Sequence, residues 1–425
     1  MKDSGIEWIG EVPEEWGIKP IKHIFGAIGS GTTPDSSKVE YYDGNINWLQ
    51  SGDLYKKDYV YAVSKTITDL GYRSSASLRI YQAPFLAIAM YGASIGNLAI
   101  SKIDACVNQA VAVLKGEENI VRFTKLALEI SKTELIFAAQ GGTQPNINQV
   151  LIKNWVIPFP SEIEIKKIAD FLDKKVAQLD KVKSLLEEQI KTLEDYRQSL
   201  IYETVTKGLD KTVPLKASGV DWIGQIPEGW EIGRLKDFVK FQTGTTPPQS
   251  VGVNQDESGV PWFKPGDFSD NSIDLLSSEN HITHEVVMQY NLSVYPKKTI
   301  LLVGIASIGK VGYSAQPSYS NQQITALRTI GEIYPRYLAY LMFSSGRFIK
   351  ETALYTVVPI INNQYLATMR LVLPSENEQK IIVEYLDRKL EQINQMIAIK
   401  KEQIDNINKQ RQTLIYDYVT GKRRV

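Results

Sequence analysis

Cysteine is nearly absent: Cys106 is the only one in 425 residues, so no internal disulfide can form. With no Cys or His beside it, Cys106 also lacks metal-ligand spacing. Histidine is almost as scarce, with His23, His281 and His284 alone. Long apolar runs are missing as well. The most apolar segments, such as Phe85–Tyr91, fall far short of a membrane span, and residues 1–16 contain no stretch of secretory length. These absences predict a cytoplasmic protein that neither enters nor crosses a membrane. Net charge is missing too, because 48 Lys and Arg balance 48 Asp and Glu. The balance is local: residues 1–160 carry 15 basic and 16 acidic groups, 161–208 carry 9 and 10, 209–374 carry 14 and 14, and 375–425 carry 10 and 8. Bulk electrostatics alone therefore gives no nucleic-acid binder.

What is present is ordinary globular composition, 43% apolar, 10% aromatic and 23% charged, in a length that suits two or three cores. It is also present twice. Gly5-Ile-Glu-Trp8-Ile-Gly10-Glu-Val-Pro13-Glu-Glu-Trp16 returns as Gly219-Val-Asp-Trp222-Ile-Gly224-Gln-Ile-Pro227-Glu-Gly-Trp230, identical at seven of twelve positions. Gly31-Thr32-Thr33-Pro34 returns as Gly244-Thr245-Thr246-Pro247, and Trp48 with Gly52-Asp53 as Trp262 with Gly266-Asp267. Ala93-Ser94-Ile95-Gly96 returns as Ala306-Ser307-Ile308-Gly309, and Asn108-Gln109 as Asn321-Gln322, always at an offset of 213 or 214. Residues 160–206 and 374–420 align without a gap and match at 20 of 47 positions, whereas 55–80 and 269–294 share little. A period this long is no solenoid unit. Each copy should be a whole domain with an appendage, on a common frame with altered inserts.

The appendage reads as a long helix. Pro160-Ser161-Glu-Ile-Glu164 and Pro374-Ser375-Glu-Asn-Glu378 are capping boxes in which Ser accepts from the backbone three residues on while Glu reaches back. Apolar residues then follow at steps of three and four from Ile165 to Leu200, and from Ile382 to Leu414 with polar Lys400 and Arg411 as departures. No Gly or Pro intervenes before Gly208 or Gly421. At 1.5 Å per residue each helix would be about 65–70 Å long. So narrow a stripe fits a partner helix better than two separate amphipathic helices, and the duplication supplies one. Heptads alone leave the direction open; the short connection 209–218 into the second globular half favours an antiparallel pair. The globular halves offer short β-rich stretches (Phe85–Met90, Val107–Leu114, Trp155–Phe159, Thr299–Val303, Ile324–Leu327, Leu371–Leu373), with amphipathic helices only at Arg122–Phe137 and Tyr334–Lys350. The expected fold is α+β: a pseudo-two-fold tandem repeat of globular domains at 1–160 and 219–374, spacer helices at 161–208 and 375–425, and a linker at 209–218.

Catalytic constellations are scarce. His281 and His284 have H-x-x-H spacing but lack the Glu of a zinc-protease helix. Gly29-Ser-Gly31 lacks the third glycine of a dinucleotide fingerprint and reads as a turn. Gly304-Ile-Ala-Ser-Ile-Gly309-Lys310 satisfies G-x-x-x-x-G-K, but Val311 offers no hydroxyl to magnesium, and the other copy has Asn97 where Lys310 stands. A tight strand connection explains those glycines better than a phosphate loop.

The two Pro-Ser-Glu-x-Glu openings, the closings Arg197-Gln198-Ser-Leu200-Ile201 and Arg411-Gln412-Thr-Leu414-Ile415, and Val419-Thr420-Gly421-Lys422 resemble the repeated helices of specificity subunits of type I restriction-modification systems. The Gly-x-x-Trp-Ile-Gly-x-x-Pro-x-x-Trp opener and the Gly-Thr-Thr-Pro turn resemble segments of that family's target recognition domains, so the resemblance covers nearly the whole chain, twice. It implies a non-catalytic subunit that reads double-stranded DNA: each head takes one half-site, and the helices set the gap between them. Two modification subunits would dock on the helices and bring S-adenosylmethionine and adenine N6 chemistry. Restriction subunits would bring ATP, Mg and cleavage, and this chain would itself bind no cofactor. Candidate DNA contacts are Thr32, Thr33, Ser94, Asn97, Asn108 and Gln109 in the first head and Thr245, Thr246, Ser307, Lys310, Asn321 and Gln322 in the second. Residues shared by heads that read different sequences are equally good frame residues. The divergent Tyr55, Lys56, Lys57, Arg73, Arg79, Lys264, His281 and His284 are the alternative contacts. Lys167, Arg197, Gln198, Arg411 and Gln412 are expected on outward helix faces that receive partner subunits. A purely structural adaptor joining two proteins is the competing reading, and a nucleotide-hydrolysing enzyme built on Lys310 is another.

Overall fold

The computed structural model describes residues 1–139, 145–246, 259–290, 292–352 and 360–425, and the chain divides into two compact units. The first is Met1–Leu186 with Glu402–Val425, and the second is Glu187–Lys401. Pro247 of the second Gly-Thr-Thr-Pro turn lies outside the described residues.

In the first unit a five-stranded sheet runs in the order Ala27–Ser30, Val111–Lys115, Phe85–Ala89, Leu98–Ser101 and Tyr59–Val60. A three-stranded sheet sets Tyr42–Leu49 between Cys106–Val107 and Thr66–Ile67. The second unit repeats both. Its five strands are Val239–Thr243, Ile324–Thr329, Thr299–Val303, Val311–Ser314 and Asp274–Leu275, and its three-stranded sheet sets Val260–Phe263 between His281–Ile282 and Tyr319–Ser320. Central strands such as Phe85–Ala89 and Thr299–Val303 are buried throughout, which explains their unbroken apolar sequence. The expected stretch Val107–Leu114 is two strands, because the Asn108 carbonyl and side chain turn the backbone, accepting from Val111 N at 3.2 Å and Ala110 N at 3.1 Å. Each expected amphipathic helix is likewise two: Glu118–Ile130 and Lys132–Ala138, then Pro335–Ser344 and Gly346–Thr352. The breaks fall at Ser131 and Ser345, both fully buried and 214 residues apart. Ser131 Oγ donates to Ala127 O at 2.8 Å, a back-bond that competes with the helix ladder.

The long helices run Glu162–Lys207 and Glu376–Val419. Ser161 and Glu164 form the full capping box, at 3.3 Å and 3.4 Å. In the second copy Ser375 accepts from Glu378 N at 3.3 Å, but the Glu378 carboxylate accepts from Trp230 Nε1 at 3.0 Å. The helices pair in opposite directions within each unit. In the first, Phe171 and Tyr418 ring centroids lie 4.6 Å apart and Asp180 stands 3.6 Å from Arg411, over a core that joins Ile165, Ile168, Leu172 and Val176 to Ile415 and Val419. In the second, Lys400 Nζ donates to Gln189 at 2.6 Å and Arg197 to Asn394 at 3.2 Å, while Ile201 and Val205 join Ile382, Val383 and Leu386.

The repeated opener receives the end of a long helix. Tyr202 OH donates to Ile223 O at 3.0 Å in the second unit, and Tyr416 OH to Ile9 O at 3.2 Å in the first, all at an offset of 214. Gly208 and Gly421 end the helices at φ +68 and +74, a left-handed cap that other residues adopt only with strain. The opener's tryptophans close over them: Trp230 packs beside Gly208 and Trp16 beside Gly421. Leu215–Ala217, from the expected linker, forms a strand with Gln225–Pro227 of that opener.

Candidate functional site

The shared turn and the shared Asn-Gln pair meet in both heads. A Cβ on Gly31 would stand 1.8 Å from Val107 O, and one on Gly244 would stand 2.3 Å from Ser320 O and Asn321 O. Only glycine lets the turn lie this close to the backbone. The turn's second threonine then reaches the glutamine: Thr33 Oγ1 donates to Gln109 Oε1 at 2.5 Å, and Thr246 Oγ1 donates to Gln322 Oε1. All four side chains are exposed, and among the described residues neither glutamine NH2 has an acceptor, so each is available to an external one. Asn108 and Asn321 serve the frame instead, since each side-chain oxygen accepts from the backbone N two residues on, at 3.1 Å. The shared Gly-Asp is frame as well: Asp53 accepts from Gln50 N at 2.9 Å and Ser64 N at 3.0 Å, and Asp267 from Lys264 N at 2.7 Å. Thr32 offers its carbonyl to Trp48 Nε1 at 3.2 Å, while Thr245 shares its hydroxyl with Tyr319.

Other candidates lie on a separate strand connection. Asn97 Oδ1 accepts from Lys132 Nζ at 3.1 Å. Its counterpart Lys310 bonds Phe268 O at 3.3 Å and pairs with Asp270 at 3.1 Å. Ser94 is half-exposed and Ser307 exposed, and neither meets the Thr-Gln pair. A Cβ on Gly309 would stand 2.5 Å from Gly346 O, so the glycine serves close packing of that connection. A cleft of about 560 Å³ opens there, lined by Gln198, Asp270, Ser307, Lys310 and Arg347 among others. His281 is buried in its strand and His284 is exposed at the start of a short helix; no cluster of three His, Cys, Asp or Glu among the described residues could hold a metal. Tyr55, Lys56, Lys57, Arg73 and Arg79 are all exposed, and Lys264 Nζ sits 4.6 Å over the Trp262 ring.

The model of the type I restriction modification DNA specificity domain matches residues 13–194 and again 227–409. The chain belongs to that family. The specificity subunit of the type I restriction enzyme MjaIX from Methanocaldococcus jannaschii is 24% identical over 98% of this chain and 95% of its own. Among solved structures, a chain from work on complex assembly and conformational transition of the type I R-M system has a TM-score of 0.75 at 16% identity, covering 96% of this chain and 98% of that one. The HsdS subunit from Thermoanaerobacter tengcongensis gives 0.52 at 18%, covering 97% and 98%. These two establish the fold alone.

For a member of the specificity family, the expected outward helix faces need correction. Lys167 and Gln412 are exposed, and Gln198 is exposed but donates to Asp270 O at 3.2 Å. Arg197 is 3% exposed, and its Nε and Nη2 have no hydrogen-bond partner among the described residues. Arg411 is also turned inward, onto Glu129 and Asp180. Both arginines sit in the apolar stripe itself, at helical steps from Leu193 and Leu414, so spacing outweighs charge in deciding which way they face. Sequence reasoning missed Arg122 with Asp173 and Arg336 with Asp387, which join each head to a long helix. Their shared offset of 214 was the available signal. Burial and the adjacent Asp173 push the Tyr59 hydroxyl up to about 12, so it stays a proton donor within this cluster.

Proposed function

We propose that the chain is the DNA-reading subunit of a type I restriction-modification complex and does no chemistry itself. Each head reads one half-site of a bipartite target on double-stranded DNA, and the paired long helices set the gap. Two modification subunits dock along the helices and use S-adenosylmethionine to methylate adenine; restriction subunits use ATP and Mg to cleave unmodified DNA in the cytoplasm. The observation that supports this reading most directly is the doubled head within a specificity family: one sheet topology twice, with divergent inserts at 55–80 and 269–294 on a shared frame. Two heads on one frame suit two different short sequences.

The Thr33–Gln109 and Thr246–Gln322 pairs belong on the DNA side in this reading, because they are shared, exposed and donor-rich. Shared donors suit what all half-sites have in common, the phosphate backbone, while residues of the divergent inserts such as Lys56, Arg73 and Lys264 would read base edges. The test is co-expression with the modification subunit of the same operon and genome-wide mapping of methylated adenines. A bipartite motif with a fixed gap is expected, and replacing residues 219–374 with those of a relative should change one side of it. Methylation without a motif would leave the structural adaptor as the better reading.

A further inference from the structure

One ion-pair network occurs at the same place in both units, where a head meets a long helix. In the first unit Arg122, on the helix Glu118–Ile130, sets Nε 2.9 Å and Nη2 2.7 Å from Asp173 of the first long helix, and Nη1 2.8 Å from Asp170. In the second, Arg336, on the helix Pro335–Ser344, sets Nε 2.9 Å from both carboxylate oxygens of Asp387 of the second long helix. Each network also holds the edge strand of the five-stranded sheet. Tyr59 donates to Asp173 at 3.2 Å in the first unit, and Asp274 accepts from Arg336 Nη1 at 2.6 Å in the second. Tyr340 adds a bond to Asp387 at 2.5 Å. The arginine side chains are only 15% and 20% exposed, so the bonds are partly sheltered from solvent screening although their carboxylates stay half-exposed.

Apolar packing could hold a head on a helix at lower desolvation cost, so stability alone does not call for charge here. A planar guanidinium bonded at fixed angles to two elements at once supplies direction instead. Strand, helix and long helix are locked together, and this lock recurs although the loops between the shared residues have diverged.

We propose that Arg122 with Asp173 and Arg336 with Asp387 are positioning residues that fix the angle of each head on its own pair of helical segments. That angle sets where along the DNA the half-site is read. One base pair of displacement is about 3.4 Å, so a head free to rock would accept targets whose gap is one base pair too long or too short. The proposal rests on the reading of the chain as a bipartite DNA-reading subunit.

The experiment uses the full chain in complex with its modification subunit. Methyl transfer is timed on DNA carrying the mapped motif and on the same motif with its gap changed by one base pair. Arg336→Ala and the milder Asp387→Asn should raise the altered-gap rate relative to the native-gap rate by about tenfold, the kinetic equivalent of one lost charged hydrogen bond. Base preference within each half-site should not change. Arg122→Ala and Asp173→Asn should do the same from the other head. Asp387→Asn preserves shape and serves where Arg336→Ala does not assemble. Variants that melt earlier and slow on every substrate in parallel, with gap selectivity intact, overturn the positioning role. A wild-type complex with no bipartite motif overturns the DNA-reading assignment, and this proposal with it.

Discussion

At the scale of single residues, the shared glycines carry more of the candidate DNA face than the shared polar groups do. Gly31 and Gly244 have no room for a methyl group, and without their close approach Thr33 and Thr246 would not reach the glutamines. Gly31→Ala must lift the turn off Val107, at a cost of about 1–3 kcal/mol for overpacking. Gly52, with nothing within 4 Å of its Cβ position and no left-handed backbone, is the control. Thermal melting should separate Gly31→Ala from Gly52→Ala by several degrees, and methylation by the Gly31→Ala complex should lose selectivity on one side of the motif only. Equal melting temperatures would mean that the turn does not depend on its seat. The frame roles of Asn108 and Asn321 also bear on readout: their side-chain oxygens are held by local backbone, so Asn108→Ala should cost stability before it costs sequence preference.

At the scale of elements, the two long helices repeat a sequence but not its surroundings. Arg411 finds Glu129 and Asp180, whereas Arg197, its equivalent 214 residues earlier, donates to Asn394 at the place of Asp180, and the residue at the place of Glu129 is the uncharged Phe343. Burial outweighs the neighbouring Glu194 carboxylate and pushes the Arg197 guanidinium below its usual range, while Arg411 is held above its own by Glu129 and Asp180. Asn394→Asp should restore the missing partner and stabilise the second unit by about 1–3 kcal/mol. That gain should vanish as pH falls through the carboxylate range, because an aspartate held low by a cation stabilises only while ionised. Arg197→Met tests the same point from the other side, as replacing a poorly paired buried charge by an apolar side chain is often neutral or stabilising. A sharp fall in melting temperature for Arg197→Met would show that the arginine is satisfied in a way its neighbours do not reveal. This asymmetry also marks how far the sequence could be read. Helix starts, lengths and ends were legible because caps, period and a closing glycine are local signals. The breaks at Ser131 and Ser345 were not, since a buried serine back-bonding to its own helix looks like any polar residue within an amphipathic run. The Thr-Gln contact was visible only as four shared residues; that they touch depends on strands that meet 76 residues apart in the chain. The Arg122–Asp173 pair recurs at the repeat offset, but each residue alone resembles a solvated charge in the sequence.

At the scale of the whole molecule, the exact balance of 48 basic and 48 acidic groups has to be reconciled with DNA reading. Several sheltered cations are already committed: Arg122, Arg336, Lys125, Arg411 and Lys310 all pair with carboxylates of this chain. Each phosphate neutralised by a cation contributes close to one unit to the slope of log affinity against log salt, and a chain whose acidic groups match its basic ones in number should bind with a shallow slope. The modification subunits would then supply most of the phosphate contacts, and this chain the groups that distinguish one sequence from another. Titrating the isolated chain and the assembled complex against the same target over a range of salt concentrations measures both slopes. The complex should be several units steeper, while the ratio of specific to non-specific binding at fixed salt should follow the heads. Equal slopes would place the phosphate contacts on this chain after all, on exposed cations such as Lys56, Lys57, Arg73 and Arg79.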